Sequence, residues 1–421
     1  MTQTLVERNR ERAERNRGPV RRIVTLLGPA FVAAVAYVDP GNVAANLTAG
    51  AEHGYLLVWV LVASNLMAVL IQYTSAKLGL VTGRSMPELL RGRLRTRGRL
   101  AYWAQAEVVA AMTDLAEVIG GALALYLLFD IPLVLGGLIV GVVSLALLMI
   151  QNRRGQRHFE FVIMGLLAII AIGFMAGLVV SDTDWGGAAE GLIPRFDGPS
   201  TVLLAASMLG ATVMPHVIYL HSSLARDRHG VGHDKPRLRH LLHATKWDVA
   251  VSLVIAGSVN IAMLLLAAGS LRGVAGTDSI EGAYDAIGTA LGPIIAGAFA
   301  VGLLASGLAS TSVGCYAGAA IMGGLLHRRI PVWIRRSITL IPALVILGVG
   351  ANPTWALVIS QVVLSVGIPF AVIPLVRLTS DKAVMGEHAN STTTKVIAWT
   401  VVASIVALNL ALLVLTFTGQ V

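Results

Sequence analysis

The sequence predicts an all-α integral membrane protein with 11 transmembrane helices, built as a 5+5 inverted repeat whose helices 1 and 6 are broken at mid-membrane. Three observations carry this. Of 421 residues, 56% are hydrophobic and only 13% charged, against about 25% charged in an ordinary soluble domain. That is too little polar surface to cover a soluble core, whereas lipid accommodates apolar side chains all round a helix. The apolar residues also fall into separate stretches, each close to the roughly 20 residues that one helical crossing needs. Finally, two stretches lying five apart each carry a proline flanked by polar groups near the expected bilayer centre. The 44 glycines and 6% aromatic content suit closely packed helices.

In chain order, residues 1–22 form a cytoplasmic basic arm. Span 1 (23–47) shows no small-residue cleavage pattern before the next span, so it is a retained helix and not a signal peptide. Spans 2 (55–80), 3 (101–128), 4 (131–150) and 5 (159–180) complete the first half of the repeat. Spans 6 (199–223), 7 (247–271), 8 (287–325), 9 (331–349) and 10 (353–376) form the second half, so the inverted-repeat core is 23–376. Residues 377–421 supply a linker and span 11 (395–418). The longest polar stretches, 1–20, 181–198, 225–246 and 378–394, are too short to bury a core of their own. The single cysteine, Cys315, excludes a disulfide framework or a cysteine-based zinc site.

The net charge of +9 is first a topology signal. With the N-terminus cytoplasmic, the inner side collects Arg8, Arg10, Arg12, Arg15, Arg17, Arg21 and Arg22, then Arg84, Arg91, Arg93, Arg95, Arg97 and Arg99. It also collects Arg153, Arg154, Arg157, Arg226, Arg228, Lys235, Arg237, Arg239 and Lys246, and later Arg328, Arg329, Arg335, Arg336, Arg377, Lys382 and Lys395. Of the 32 Lys and Arg residues only Arg195 and Arg272 fall outside, with Lys77 near the inner end of span 2. This is the positive-inside bias, and it places the C-terminus outside. Contact with anionic lipid is a supplement to that reading. No stacking aromatics accompany the basic runs, which excludes nucleic acid as a partner. The excess of arginine over lysine and the short loops fit a bacterial inner membrane.

Span 1 contains Ala36-Tyr37-Val38-Asp39-Pro40-Gly41-Asn42. Proline removes a backbone donor and disfavours helical geometry in the residue before it, so carbonyls near Val38 and Asp39 are expected to lose their partners and become available as ligands. A carboxylate at that depth is costly and points to function, the plainer alternative being a kink with Asp39 capping the second half-helix. Span 6 repeats the pattern in Gly210-Ala211-Thr212-Val213-Met214-Pro215-His216. Five is odd, so a copied five-helix unit enters the membrane from the opposite side, and paired breaks point to a binding site at the midplane. Asp39 offers anionic oxygen and Asn42 a neutral oxygen on nearly the same face. Met214 offers a thioether beside a carbonyl freed by Pro215, that of Ala211. Oxygen alone suits Mg²⁺ or Ca²⁺; added sulfur favours a transition ion, without choosing among Mn²⁺, Fe²⁺, Co²⁺ and Cd²⁺. Packing is the commoner role of a methionine taken alone.

Asp39-Pro-Gly-Asn42 together with Met214-Pro-His216 resembles the Nramp family, the natural-resistance-associated macrophage protein transporters of divalent metals. The likeness runs through all the spans, including Gly28-Pro-Ala, Ala211 to His221, Gln361-Val-Val-Leu-Ser365 and Pro369-Phe-Ala. It implies a leucine-transporter-like fold and proton-coupled import of Mn²⁺ or Fe²⁺ by alternating access. It also implies that Asp39, Asn42, Met214 and the Ala211 carbonyl hold the ion, with Gln361 joining in an occluded state. Span 8 departs from the family pattern, with Leu308, Ala309, Cys315 and Ala319 where polar residues are usual. The related magnesium-transporting branch lacks the helix 6 methionine, so Met214 argues against it.

Span 3 carries Glu107, Asp114 and Glu117 in an otherwise apolar helix. At 100° per residue Asp114 and Glu117 fall about 20° and about 80° from Glu107, so the three share a face, with Glu107 and Asp114 about 10 Å apart along the axis. Such a line suits a proton or cation relay, or else a set of salt bridges to Arg335 and Arg336 at the start of span 9; the two are compatible. His216 either titrates in the physiological range or serves as a neutral, hydrogen-bonded gate. His221 lies nearer the cytoplasm and ranks behind it. The resemblance implies that Asp39 takes part in proton transfer as well as metal binding and that Asp114, Glu117 and Glu107 continue the route.

The expected activity is therefore secondary transport, with the proton gradient and membrane potential driving uptake of Mn²⁺ or Fe²⁺, and also Cd²⁺ or Co²⁺. The ions are cargo; no prosthetic group and no obligate protein partner are expected beyond the lipid bilayer. The alternatives are an amino-acid or sodium-coupled symporter of the same fold, which gives Met214 no purpose, and a passive divalent-cation channel. An intramembrane metalloenzyme would need a ligand set such as HExxH, which the sequence lacks.

Overall fold

A computed structural model of the chain describes residues 28–419 apart from 155, 278 and 329. The basic arm 1–22, the first residues of span 1 and Arg329 lie outside the described residues, as do the side chains of Arg153, Arg154 and Arg157.

Span 1 is two half-helices, α1 (Pro29–Ala36) and α2 (Pro40–His53). Span 2 is α3 (Val58–Thr82), followed by a short α4 (Met86–Arg93). Spans 3, 4 and 5 are α5 (Thr96–Phe129), α6 (Leu133–Arg154) and α7 (Gln156–Val180), after which α8 (Trp185–Glu190) sits in the loop. Span 6 is again divided, into α9 (Pro199–Thr212) and α10 (Pro215–His229), and span 7 is α11 (Lys235–Ser270). A separate α12 (Ile280–Leu291) precedes α13 (Pro293–Leu326), α14 (Val332–Gly348) and α15 (Pro353–Ser380). The chain continues through α16 (Lys382–Met385) and a 3₁₀ turn to α17 (Thr392–Phe417).

Proline stands in the first turn of α1, α2, α9, α10, α13 and α15. There its missing N–H would have had no helical partner and its fixed φ favours the helix. Both breaks follow from this: Pro40 and Pro215 restart helices that the preceding residues cannot continue. Among the described residues eight helices are long and apolar enough to cross a membrane. The other three spans are the divided span 1, span 4 with its apolar run Leu133–Leu147, and the 17-residue α14, which carries Pro342.

Span 8 differs from the expected 287–325. Gly292, at φ 96°, ends an amphipathic surface helix, and Pro293 starts the crossing afresh. The apolar run continues through 287–292 because the amphipathic helix ends on apolar residues and the crossing that follows is apolar all round. Span 7 extends back to Lys235, capped by the Asp234 side chain. A helix continues past the bilayer wherever a cap and good helix formers allow it. α4 carries a Ser85/Glu88 capping box, in which each side chain meets the other residue's backbone N–H.

In the bundle, α5 and α13 pack along each other, α13 also lies on α7, α2 lies against α11, and α9 against α15. The two breaks face each other where these layers meet. Asp39, Asn42, Met214, His216 and Gln361 are all fully or almost fully buried there.

Candidate metal centre and the polar track beside it

Asp39 occupies the N-cap of α2 and accepts from the Asn42 backbone N–H at 2.8 Å. The N-terminal half-charge of α2 thus faces its carboxylate. The Asn42 side-chain amide donates to the same Asp39 Oδ1 at 2.8 Å and to the Ala211 carbonyl at 2.9 Å. Pro215 has no N–H to offer the carbonyl four residues before it, which leaves Ala211 O free for this contact. One amide thereby ties the two broken helices together through their exposed acceptors. Thr212 Oγ1 donates to Asn42 Oδ1 at 3.4 Å, and Gln361 Nε2 of α15 donates to Asp39 Oδ2 at 3.3 Å. The buried Gln361 side-chain oxygen, Oε1, has no hydrogen-bond partner among the described residues. Gly41 gives that carboxamide its room, because a β-carbon at 41 would fall on the Gln361 side chain. Met214 is the fully buried N-cap residue of α10.

Of the carbonyls expected to be free at the first break, two are satisfied by neighbouring helices. Tyr37 O accepts from Asn260 Nδ2 at 2.8 Å and Val38 O from Ser306 Oγ at 2.5 Å. Asp39 O accepts from Val43 N–H within α2. Unpaired buried backbone oxygens are costly, and α11 and α13 supply hydroxyl and amide donors that relieve them. The backbone at this break is therefore held by neighbouring helices, whereas the Asp39 oxygens and Ala211 O are met by the side-chain amides of Asn42 and Gln361. Asn260 and Ser306 were not singled out from sequence; an isolated amide or hydroxyl in an apolar span was the available signal. Asn260 also accepts from Asn46 Nδ2 at 3.2 Å, which locks α2 to α11.

Beside this centre runs the polar face of α5. Arg335 forms a two-pronged contact with Glu107, at 2.6 and 3.3 Å, and Arg336 pairs with Asp114. Glu117, wholly buried, has neither arginine as a direct hydrogen-bond partner and lies against Gly314 and the Thr311 hydroxyl of α13. His216 Nδ1 lies 3.2 Å from Thr113 Oγ1, joining α10 to α5 one residue before Asp114. His221 Nδ1 meets Gln72 Oε1 at 2.8 Å, and Gln72 Nε2 donates to the Tyr37 hydroxyl at 2.5 Å. On the arginine-rich side Asp248 caps the start of α1, accepting from Gly28 N and Ala30 N at 3.1 and 3.0 Å. Thr113, Gln72, Tyr37 and Asp248 were missed from sequence; for Gln72 and Asp248 an isolated amide and a carboxylate in apolar spans were the available signals. Among the described residues no three His, Cys, Asp or Glu side chains are grouped so as to hold a metal; the centre is one carboxylate among amides, a carbonyl and a thioether.

A 5+5 bundle with its first and sixth spans broken around a buried carboxylate is the architecture of a secondary transporter. The chain belongs to the Nramp family: the family profile, described as natural resistance-associated macrophage protein-like, matches residues 30–415. It is 59% identical over 409 residues to the divalent metal cation transporter MntH of Mycobacterium tuberculosis (strain ATCC 25618 / H37Rv), covering 97% of this chain and 96% of that one. To the protein of the same name in Bacillus subtilis (strain 168) it is 44% identical, covering 94% and 93%. Its structure superposes on that of the Eremococcus coleocola manganese transporter, in complex with an aromatic bis-isothiourea compound, with a TM-score of 0.84 at 31% identity, over 95% of this chain and 88% of the other. The fold is thus leucine-transporter-like, as expected from sequence.

Proposed function

We propose that this chain imports divalent transition-metal ions, Mn²⁺ or Fe²⁺ in the first place, together with protons, by alternating access, with its arginine-rich face in the cytoplasm. The observation that carries the reading is the Asn42 amide bridging Asp39 and the Ala211 carbonyl. Those two acceptors share the amide N–H groups as donors. A dication arriving there takes over as their partner. The Asn42 amide then turns its oxygen inward, an orientation that only a cation makes favourable between two acceptors. Gln361 adds its unpartnered oxygen, and Met214 adds a soft ligand that selects against Ca²⁺ and Mg²⁺. The relatives' names, divalent metal cation transporter and manganese transporter, support the substrate class.

Proton coupling follows from the same carboxylate. An ion bound to Asp39 displaces any proton it holds, and α5 offers acceptors at Glu117, Asp114 and Glu107. Arg336 and Arg335 keep the latter two oriented. His216, bonded to Thr113, lines the junction between centre and track as a gate. Each charge carried inward across 100 mV gains about 2.3 kcal/mol, so the membrane potential already favours dication uptake.

The test is Mn²⁺ uptake into proteoliposomes carrying an internal pH dye. Saturable uptake with acidification of the lumen is expected, and Asp39→Ala should abolish both. Non-saturating uptake without proton movement would mean a channel, and normal transport by Asp39→Ala would remove Asp39 from the site.

A further inference from the structure

On the arginine-rich side, α5 and the end of α13 leave between them an open cleft of about 760 Å³. Its walls are Arg99, Leu100 and Trp103 from the start of α5, and Met322, Leu326 and Arg328 from the end of α13 and just beyond. Arg99 and Trp103 are four residues apart and so share one helix face. Arg99 Nη2 donates to Thr96 Oγ1 at 3.2 Å, whereas Arg99 Nε and the Trp103 indole N–H, buried in the cleft wall, have no acceptor among the described residues. Buried donors are nearly always paired, so two orphans in one cleft wall point to side chains that turn to meet oxygen acceptors brought by a ligand. Two guanidinium groups, an indole donor and an aliphatic floor at the membrane edge fit one class of molecule: a phosphate headgroup with acyl chains attached. Guanidinium matches phosphate geometry. Tryptophan concentrates at the interface, and the cytoplasmic leaflet is the anionic one.

We propose that this cleft binds an anionic phospholipid of the cytoplasmic leaflet. Its phosphodiester lies between Arg99 and Arg328, the Trp103 indole donates to a headgroup or glycerol oxygen, and an acyl chain runs along Leu100, Met322 and Leu326. The lipid would tie α5, which carries Glu107, Asp114 and Glu117, to the connection that leads into Arg335 and Arg336. This is a defined site on the general basic face; its assignment to the cytoplasmic leaflet rests on the orientation proposed above, while the site itself does not depend on the transport reading.

The full chain in neutral detergent, titrated with phosphatidylglycerol or phosphatidylcholine and read by native mass spectrometry, tests it without reference to orientation or transport. Two arginines facing the phosphate give an expected preference of roughly 30-fold for phosphatidylglycerol. Arg99→Gln with Arg328→Gln should remove most of that preference, and Leu326→Trp, which fills the cleft without altering charge, should lower it too. Arg95→Gln with Arg97→Gln, exposed at the same end of the molecule, should leave it intact. Equal losses in the two arginine pairs would reduce the effect to the general basic face and overturn the proposal. So would the absence of a preference between the lipids, or binding of inorganic phosphate with the same arginine dependence but no preference for phosphatidylglycerol.

Discussion

Replacing Gly41 by alanine probes the centre without substituting a proposed ligand. The added β-carbon falls on the Gln361 carboxamide, the end of a side chain that can swing away, so the helix backbones need not part. Alanine is otherwise the better helix former, by about 1 kcal/mol. What is lost is the placement of the Gln361 carboxamide, held 3.3 Å from Asp39 Oδ2, and with it the contact of its oxygen to a bound cation. Taken as a charge-assisted polar contact, that is worth about 1.5 kcal/mol at the low end of the range, or roughly tenfold in Mn²⁺ affinity. Gln361→Ala should cost a similar factor. Because both substitutions act through one side chain, the double variant should again be roughly tenfold weaker rather than roughly a hundredfold, giving a coupling energy near 1.5 kcal/mol. The assay is isothermal titration of the purified protein with Mn²⁺, paired with the KM for uptake. Additive losses in the double variant, or unchanged affinity in Gly41→Ala, would refute the idea that Gln361 reaches the ion.

Met214→Ala should admit Ca²⁺ or Mg²⁺ as competitors of Mn²⁺ uptake, because the soft ligand is lost while the oxygens remain; competition assays with excess Ca²⁺ read this directly. Arg336→Gln leaves Asp114 buried without its cation and should destabilise the protein by about 3–5 kcal/mol, with Asp114→Asn in the same chain restoring most of the loss of thermal stability. At the surface, Arg93 pairs with Asp381 at 2.5 Å and links α4 to the end of α15. The Arg93 hydrogen bond holds the Asp381 carboxyl below its ordinary range. A depressed carboxyl contributes stability above its unfolded value of about 3.9, and that contribution is lost as pH falls through the lower folded value. Arg93→Gln should therefore lower the melting temperature slightly at pH 7 and converge with the parent in acid.

The elements most legible from sequence were those set by local chemistry. Pro40 and Pro215 announced the two breaks, and Pro215 identified Ala211 as the freed carbonyl; the Asn42 contact is built on that carbonyl. The helical period put Glu107 and Asp114 on one face, and both meet the adjacent arginines that open α14. Local sequence misleads where an apolar run continues across a turn, at Gly292 before Pro293. It misleads again at the freed carbonyls of the first break, because Tyr37 and Val38 are answered by Asn260 and Ser306, more than 200 residues away.

By itself, then, the sequence determined that the chain lives in lipid, where it crosses, where two crossings break, and which donor types stand at the breaks. Those follow from apolar run length, the missing N–H of proline and side-chain chemistry, all of which act over a few residues. Only the tertiary structure decided which acceptors remain open. A buried polar atom must find a partner wherever the fold brings one, and α2, α9, α11, α13 and α15 are brought together by packing rather than by neighbourhood in the chain. The same holds for the scarce charge noted at the outset: Asp39, Asp114 and Glu117 stand in the bundle because helices remote in sequence close around them.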